Sequence, residues 1–217
     1  MSNQDSFIDE VSEEVRKDKL YKLFRRYGWI AIAAVIVIVG GASIFEYRKA
    51  QARAAAQATG DALMEAVTQD TAEARASAIG AIATDDNAGQ RAVVGLLQAA
   101  AELEAEDQDA ARATLEGVAA NADTPAIYRD LAILKASMIP GAAPEDKIAQ
   151  LQSLMVPGNP FRLLAIEQRA LAEIEMGQTD TAIETLQAII ADADRTEGLQ
   201  RRATQLIVAL GGTLEQS

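Results

Sequence analysis

The sequence predicts an all-α chain: one uncharged helix long enough to cross a bilayer, then a stack of degenerate helical hairpins. Three observations carry this. The 217 residues are 49% apolar but only 4% aromatic, with alanine supplying much of the apolar count; alanine has the highest helix propensity and lets helix axes approach closely. Nineteen residues, Tyr27 to Phe45, carry no charge. A twenty-residue pattern recurs 71 residues further on.

Residues 1–26 form the first element, a predicted cytoplasmic amphipathic segment. Ile8, Val11 and Val15, then Leu20, Phe24 and Tyr27, recur at three- and four-residue steps, the spacing of one helix face. Its second half is basic. Lysine and arginine near anionic lipid gain about 1 kcal/mol each, so the segment reads either as a leaflet or partner contact or as a simple flank of the span.

Residues 27–47 form the second element, a predicted transmembrane helix. At a rise of about 1.5 Å per residue the uncharged run covers about 28 Å, close to the hydrocarbon thickness of a bilayer. Tyr27 and Trp29 at one end and Phe45 and Tyr47 at the other are placed as interfacial aromatics. A soluble core helix would carry a polar stripe, and a signal peptide would have a short basic start and a small-residue cleavage site; neither pattern is present. Six basic residues, Arg16, Lys17, Lys19, Lys22, Arg25 and Arg26, precede the run, and three, Arg48, Lys49 and Arg53, follow it. The basic side stays in the cytoplasm, which predicts a single-span membrane protein with its N-terminus inside and residues 48–217 outside the cytoplasm.

Residues 48–217 hold 14 bases against 25 acids. An acidic surface repels phosphate backbones, so no nucleic-acid partner is expected. The chain has no cysteine and no histidine, which removes the thiolate nucleophile, the commonest base near neutral pH and the commonest transition-metal ligands. No glycine-rich phosphate loop occurs. Asp85-Asp86-Asn87 lacks the further ligands of a calcium loop, and the paired carboxylates Glu104 and Glu106 come with no pocket that would raise a pKa. No enzyme activity, cofactor or metal is expected.

Within this region Ala101–Ala120 and Ala172–Ala191 share eight of twenty positions, among them Glu102/Glu173, Glu104/Glu175, Asp109/Asp180, Ala111/Ala182 and Leu115/Leu186. The displacement is about twice the roughly 34-residue period of tetratricopeptide units. A third unit fits between, with helices at Thr124–Met138 and Glu145–Met155 separated by Pro140 to Pro144. In the last unit Phe161–Met176 is one helix, Gly177 suits a left-handed C-terminal position, and Asp180 is the expected N-cap of its partner. Ala111, Leu115, Ala182 and Leu186 are the expected packing positions. Arg195–Leu210 is the expected closing helix.

Gly177 followed by Ala182, with Ala170 seven residues before the glycine, resembles the small-residue framework of tetratricopeptide repeats, without the aromatic expected where Glu173 stands. The layout as a whole, from SFIDEVSEEVRKDKLYKLFRRYG through the span to the repeats, resembles the YfgM-type family of ancillary Sec-translocon subunits. That resemblance implies a bacterial inner (plasma) membrane protein with a periplasmic tetratricopeptide-like domain beside the SecYEG channel, and a membrane-anchored peptidyl-prolyl isomerase chaperone as a further partner. The residues by themselves support a protein-binding surface, and a non-catalytic scaffold for envelope-assembly or division machinery is the alternative. Stacked hairpins present an extended concave face. Glu102, Glu104, Glu173 and Glu175 recur at equivalent places on the first helix of two units; they read either as an acidic groove for basic segments or as a solvated face keeping an alanine-rich stack soluble. The sequence leaves the oligomeric state open.

Overall fold

The computed structural model describes the backbone of residues 3–84 and 87–213, and side chains from residue 25 onward within those ranges except 28 and 31. The described residues contain helices and connecting turns, with no strand among them. The elements are α1 (Asn3–Val67), α2 (Ala72–Gly80), α3 (Ala88–Glu104), α4 (Gln108–Ala120), α5 (Ala126–Ser137), α6 (Pro144–Leu151), α7 (Arg162–Glu175), α8 (Thr179–Ala191) and α9 (Glu197–Ala209). Two compact units divide the chain at Gln57 and Ala58, inside α1.

The first unit is α1 up to Gln57. Its described side chains from Ile32 to Ala50 are exposed except for the half-buried Ala33. Val35, Ile36, Val37, Ile38, Val39 and Phe45 are each more than half exposed, so the helix carries aliphatic groups all round with no polar stripe. The apolar and basic positions read from residues 1–24 lie outside the described side chains. Among the described residues no helix is long and apolar enough to cross a membrane.

The second unit is a row of helical hairpins. Each helix from α2 to α9 packs on the next; in addition α3 touches α5, and α5 touches α7. The helices α3, α5, α7 and α9 begin at Ala88, Ala126, Arg162 and Glu197, at nearly even intervals. They are successive first helices of a repeat, and α2, α4, α6 and α8 are second helices. Backbone conformation marks the same repeat. A residue with positive φ follows each first helix from α3 onward: Glu106 at 61°, Gly141 at 94°, Gly177 at 73° and Gly211 at 81°. At three of them the chain closes with a long-reach amide bond, from Asp107 to the Glu102 carbonyl, Gln178 to Glu173 and Gly212 to Ile207, each at 2.9 Å. This satisfies end carbonyls that the helix itself leaves open.

Side chains cap the starts of α2, α3, α4 and α9. Thr71, Asn87, Asp107 and Thr196 accept from amides three residues on, at 3.0 to 3.3 Å. The expectation for Asp180 is corrected: the N-cap of α8 is Gln178, which makes no side-chain cap bond, and Asp180 lies inside the first turn. There its charge still favours the positive end of the helix dipole. Of Asp85-Asp86-Asn87, the two aspartates lie outside the described residues, and Asn87 caps α3.

The core is divided among the junctions. Ala66, Ile79, Val94 and Ala101 pack where α1, α2 and α3 meet; Ala99, Ala111, Leu115, Ala132 and Ala136 join α3, α4 and α5. Leu134, Leu151, Leu154 and Ala165 join α5 to α7, and Ala170, Leu186, Ile189, Leu199, Ala203 and Ile207 join α7, α8 and α9. Ala111, Ala182 and Leu186 are 0% exposed and Leu115 1%. At Ala111 and Ala182 only a methyl group separates the helix from its neighbours.

This packing can be tested at single positions. Leu186→Ala removes a fully buried side chain and should destabilise the second unit by about 2–5 kcal/mol, whereas Val208→Ala, at a side chain 60% exposed, should cost under about 0.5 kcal/mol; urea unfolding followed by circular dichroism compares them. Glu106 holds the left-handed position that Gly177 fills one double repeat later, so Glu106→Gly should stabilise by about 0.5–1 kcal/mol. A lower unfolding midpoint for that variant would contradict the strain assigned to Glu106.

Candidate protein-binding groove

The recurring glutamates are placed by the hairpin register. Glu104 ends α3 and pairs with Arg75 of α2 at 2.9 Å; Glu175 ends α7 and pairs with Lys147 of α6 at 3.0 Å. Arg112 of α4 makes the corresponding reach to the carbonyl of Pro140, beyond the end of α5, at 2.6 Å. These three cations stand 29, 28 and 28 residues before their acceptors, in the order Arg75, Arg112 and Lys147. Each therefore sits on a second helix and answers the negative, carbonyl-bearing end of the following first helix. Lys147 is the most enclosed, its side chain 9% exposed, so its charge depends on Glu175 for compensation.

Glu102 and Glu173 are 8% and 2% exposed. Glu173 accepts from Arg169 and from the Thr185 hydroxyl, both at 2.7 Å, and Glu102 accepts from Gln98 at 2.8 Å. The second oxygen of Glu102 and the Nε of Arg112 are buried without a hydrogen-bond partner among the described residues. Both readings, acidic groove and solvated face, are corrected for Glu102 and Glu173, which are enclosed between helices; Glu104 and Glu175 keep side chains 62% and 49% exposed while they pair with the preceding hairpin. Glu173 can be this deeply placed because hydrogen bonds to both of its oxygens replace its lost water.

The open groove lies elsewhere, between the first helices α5, α7 and α9, with a volume of about 640 Å³. Leu134 of α5 and Met138 at its C-terminal cap form one wall, Leu164 and Leu171 of α7 the next, and Leu206 and Ala209 of α9 the third. Met138 is 58% exposed and Leu164 38%, so apolar surface faces solvent here. Glu167 and Arg202 cross the groove in a two-point ion pair at 2.6 and 2.8 Å, and the hydrogen bond to Glu167 raises the Arg202 pKa above its usual value. Gln168 and Gln205 complete the lining.

Leu164 and Arg202 also border a neighbouring hollow of about 560 Å³ at the starts of α7 and α9. At its edge Arg162 grips Asp192 at 2.7 and 3.0 Å and Asp194 at 3.2 Å. The side-chain hydrogen bonds from Arg162 hold the Asp192 carboxyl below the usual aspartate range, helped by the Asp194 amide. This clasp joins the entry of α7 to the exit of α8.

Sequence reading does not find the groove residues, because each belongs to an otherwise ordinary amphipathic helix. Their signal is an apolar position off the core stripe, as at Met138, one turn beyond the buried Leu134, and at Leu164. The expected interfacial aromatics are in the first unit, where Tyr27 is 51%, Trp29 67%, Phe45 67% and Tyr47 65% exposed. Tyr47 accepts a bond from Gln51 at 2.9 Å through its hydroxyl. Among the described residues no group of three or more acidic side chains is arranged to hold a metal ion.

The second unit is thus all-α, a row of helical hairpins with a recess lined by α5, α7 and α9. Comparison with family models, with curated proteins and with solved structures gives no match.

Because the Asp192 pKa is lowered on folding, its stabilising contribution is complete above the unfolded value of about 3.9 and is lost as pH falls through the native one. Asp192→Asn should therefore be less stable than the parent at neutral pH, and the two should converge below about pH 3.9. Chemical unfolding of both chains across about pH 2–7 covers that window; a gap that persists at the acid end would mean that Asp192 acts other than through its charge.

Proposed function

We propose that this protein is a membrane-anchored, tetratricopeptide-like protein-binding module that serves the Sec translocon and the periplasmic chaperone network. The observation that carries the protein-binding part is the groove across α5, α7 and α9, where the exposed Met138 and Leu164 share one recess with Leu171 and Leu206, whereas the other exposed large apolar side chains of the unit, such as Met64, Ile127 and Val208, lie outside it. A contiguous apolar recess on a folded surface is what a partner covers.

The anchoring part rests on the uncharged run Tyr27–Phe45. Gly28 and Ala31, inside it, lie outside the described side chains. The described aliphatic side chains of that run are exposed on every side of one helix, which is unfavourable in water and favourable in hydrocarbon. The flanking basic residues favour a cytoplasmic N-terminus and a periplasmic second unit. The translocon assignment rests on the resemblance of residues 6–28 and the adjoining run to the YfgM-type family; that resemblance also supplies the SecYEG channel and an anchored peptidyl-prolyl isomerase chaperone as partners.

Topology comes first. A single cysteine at Ser217, in a chain that has no other, should react with a membrane-impermeant thiol reagent in cells whose outer membrane alone is permeabilised. Protection until the inner membrane is lysed would reverse the orientation and remove periplasmic partners. The chain should then co-purify with the Sec channel from detergent extracts and lose it when residues 1–50 are replaced by an unrelated span. Retained association would show that the anchor does not select the partner, and a fixed set of division or assembly proteins in its place would favour the scaffold reading.

A further inference from the structure

We infer that the α3–α4 hairpin is a joint in the second unit: its two helices part in local openings during which the equivalent α7–α8 hairpin stays closed. This holds whatever the unit binds.

The two hairpins occupy matched positions 71 residues apart, and three fastenings present in the second are missing from the first. One is the clasp. Arg162 holds Asp192 at 2.7 and 3.0 Å and Asp194 at 3.2 Å. Arg91 and Asp123 stand in the equivalent places, but Asn121 replaces Asp192. Asn121 keeps the local bond from the Asp123 amide, as Asp192 does from Asp194, yet has no charge to offer the arginine. A neutral amide cannot form the two-point ionic contact.

The second fastening is the buried carboxylate. Glu173 accepts from Arg169 on one oxygen and from Thr185 of α8 on the other. Glu102 has the neutral Gln98 where Arg169 stands, and its second oxygen is buried without a described partner although Thr114 occupies the place of Thr185. An enclosed charge so poorly compensated weakens the interface around it. Among the described residues no side-chain hydrogen bond or ion pair joins α3 to α4. The nearby ties run elsewhere: Arg75 joins α2 to α3, and Arg112 joins α4 to the end of α5.

The third is apolar filling. Leu186, Ile189, Leu199 and Ile207 surround two core alanines at the second hairpin, whereas Leu115 and Ile139 surround four at the first. Stabilisation follows the apolar area removed from water, so the first hairpin has less to hold it. A hollow of about 290 Å³ lies there, lined by Gln98 of α3 and by Thr114, Gly117 and Asn121 at α4. A side chain begun at Gly117 would meet nothing within 4 Å. Finally, Glu106 holds a left-handed conformation at the connection, where the other hairpin has Gly177, and this adds strain at the hinge itself.

The test uses the full chain in nanodiscs, since the chain has no cysteine of its own. Leu115→Cys and Leu186→Cys each place one thiol at a matched site, where the parent side chains are 1% and 0% exposed. Reaction with a neutral aromatic disulfide then requires opening. The thiol at position 115 should react about tenfold faster than the one at position 186. Gln98→Arg with Asn121→Asp should slow the first thiol several-fold and leave the second unchanged; Arg169→Gln with Asp192→Asn should speed the second. Amide exchange of α4 against α8 in the unsubstituted chain, read by mass spectrometry, should give the same order and decides the matter where a cysteine variant fails to fold. Equal rates, the reverse order, or two thiols that respond together to either double substitution would mean that the unit opens as a whole, and would overturn the inference.

Discussion

A hairpin of two short helices has more apolar surface than it can cover, and this constraint organises the second unit. Leu115, Ala132 and Ile139 meet at one junction, Leu134, Leu151 and Leu154 at the next, and Leu186, Ile189 and Ile207 at the last. No described helix closes its own core. Each must be covered by the following hairpin, which is the condition for nearest-neighbour stability in repeat architectures. Alanine at Ala111, Ala170, Ala182 and Ala203 makes the cover close, because a methyl group is all that stands between facing helices.

The polar contacts obey the same register. Arg75, Arg112 and Lys147 come from three successive second helices and reach the ends of three successive first helices. Their acceptors differ: two are carboxylates and one is a main-chain carbonyl. What is repeated is therefore the place of positive charge at a carbonyl-rich helix end, and the acceptor adapts to it. Glu104 and Glu175, 71 residues apart, are the two carboxylate acceptors of this series.

The all-helical character and the hairpin boundaries are legible in the sequence because they depend on local pattern: proline and glycine between Met138 and Phe161, and the in-register Leu115 and Leu186. Ala111, Ala182 and Leu186 sit where one helix face must be buried, which periodicity reports directly. Glu102 and Glu173 are not legible in this way. A glutamate on a helix ordinarily faces water, and only the arrival of Arg169 with Thr185, or of Gln98, makes burial tolerable. Glu106 escapes for a related reason, since a left-handed position is sought at glycine and a non-glycine occupies it here. The groove is invisible because it is made by residues of three helices that are distant in sequence.

The groove lies at one end of the hairpin row, and its third wall, α9, has its main helical contact with α8. Leu206 and Ala209 on that wall thus keep their place only as long as α9 remains docked through Leu199, Ala203 and Ile207. Fraying of α9 alone would therefore open the recess while α5 and α7 stay packed. The shape of the recess is set by the cohesion of one helix as much as by the side chains that line it.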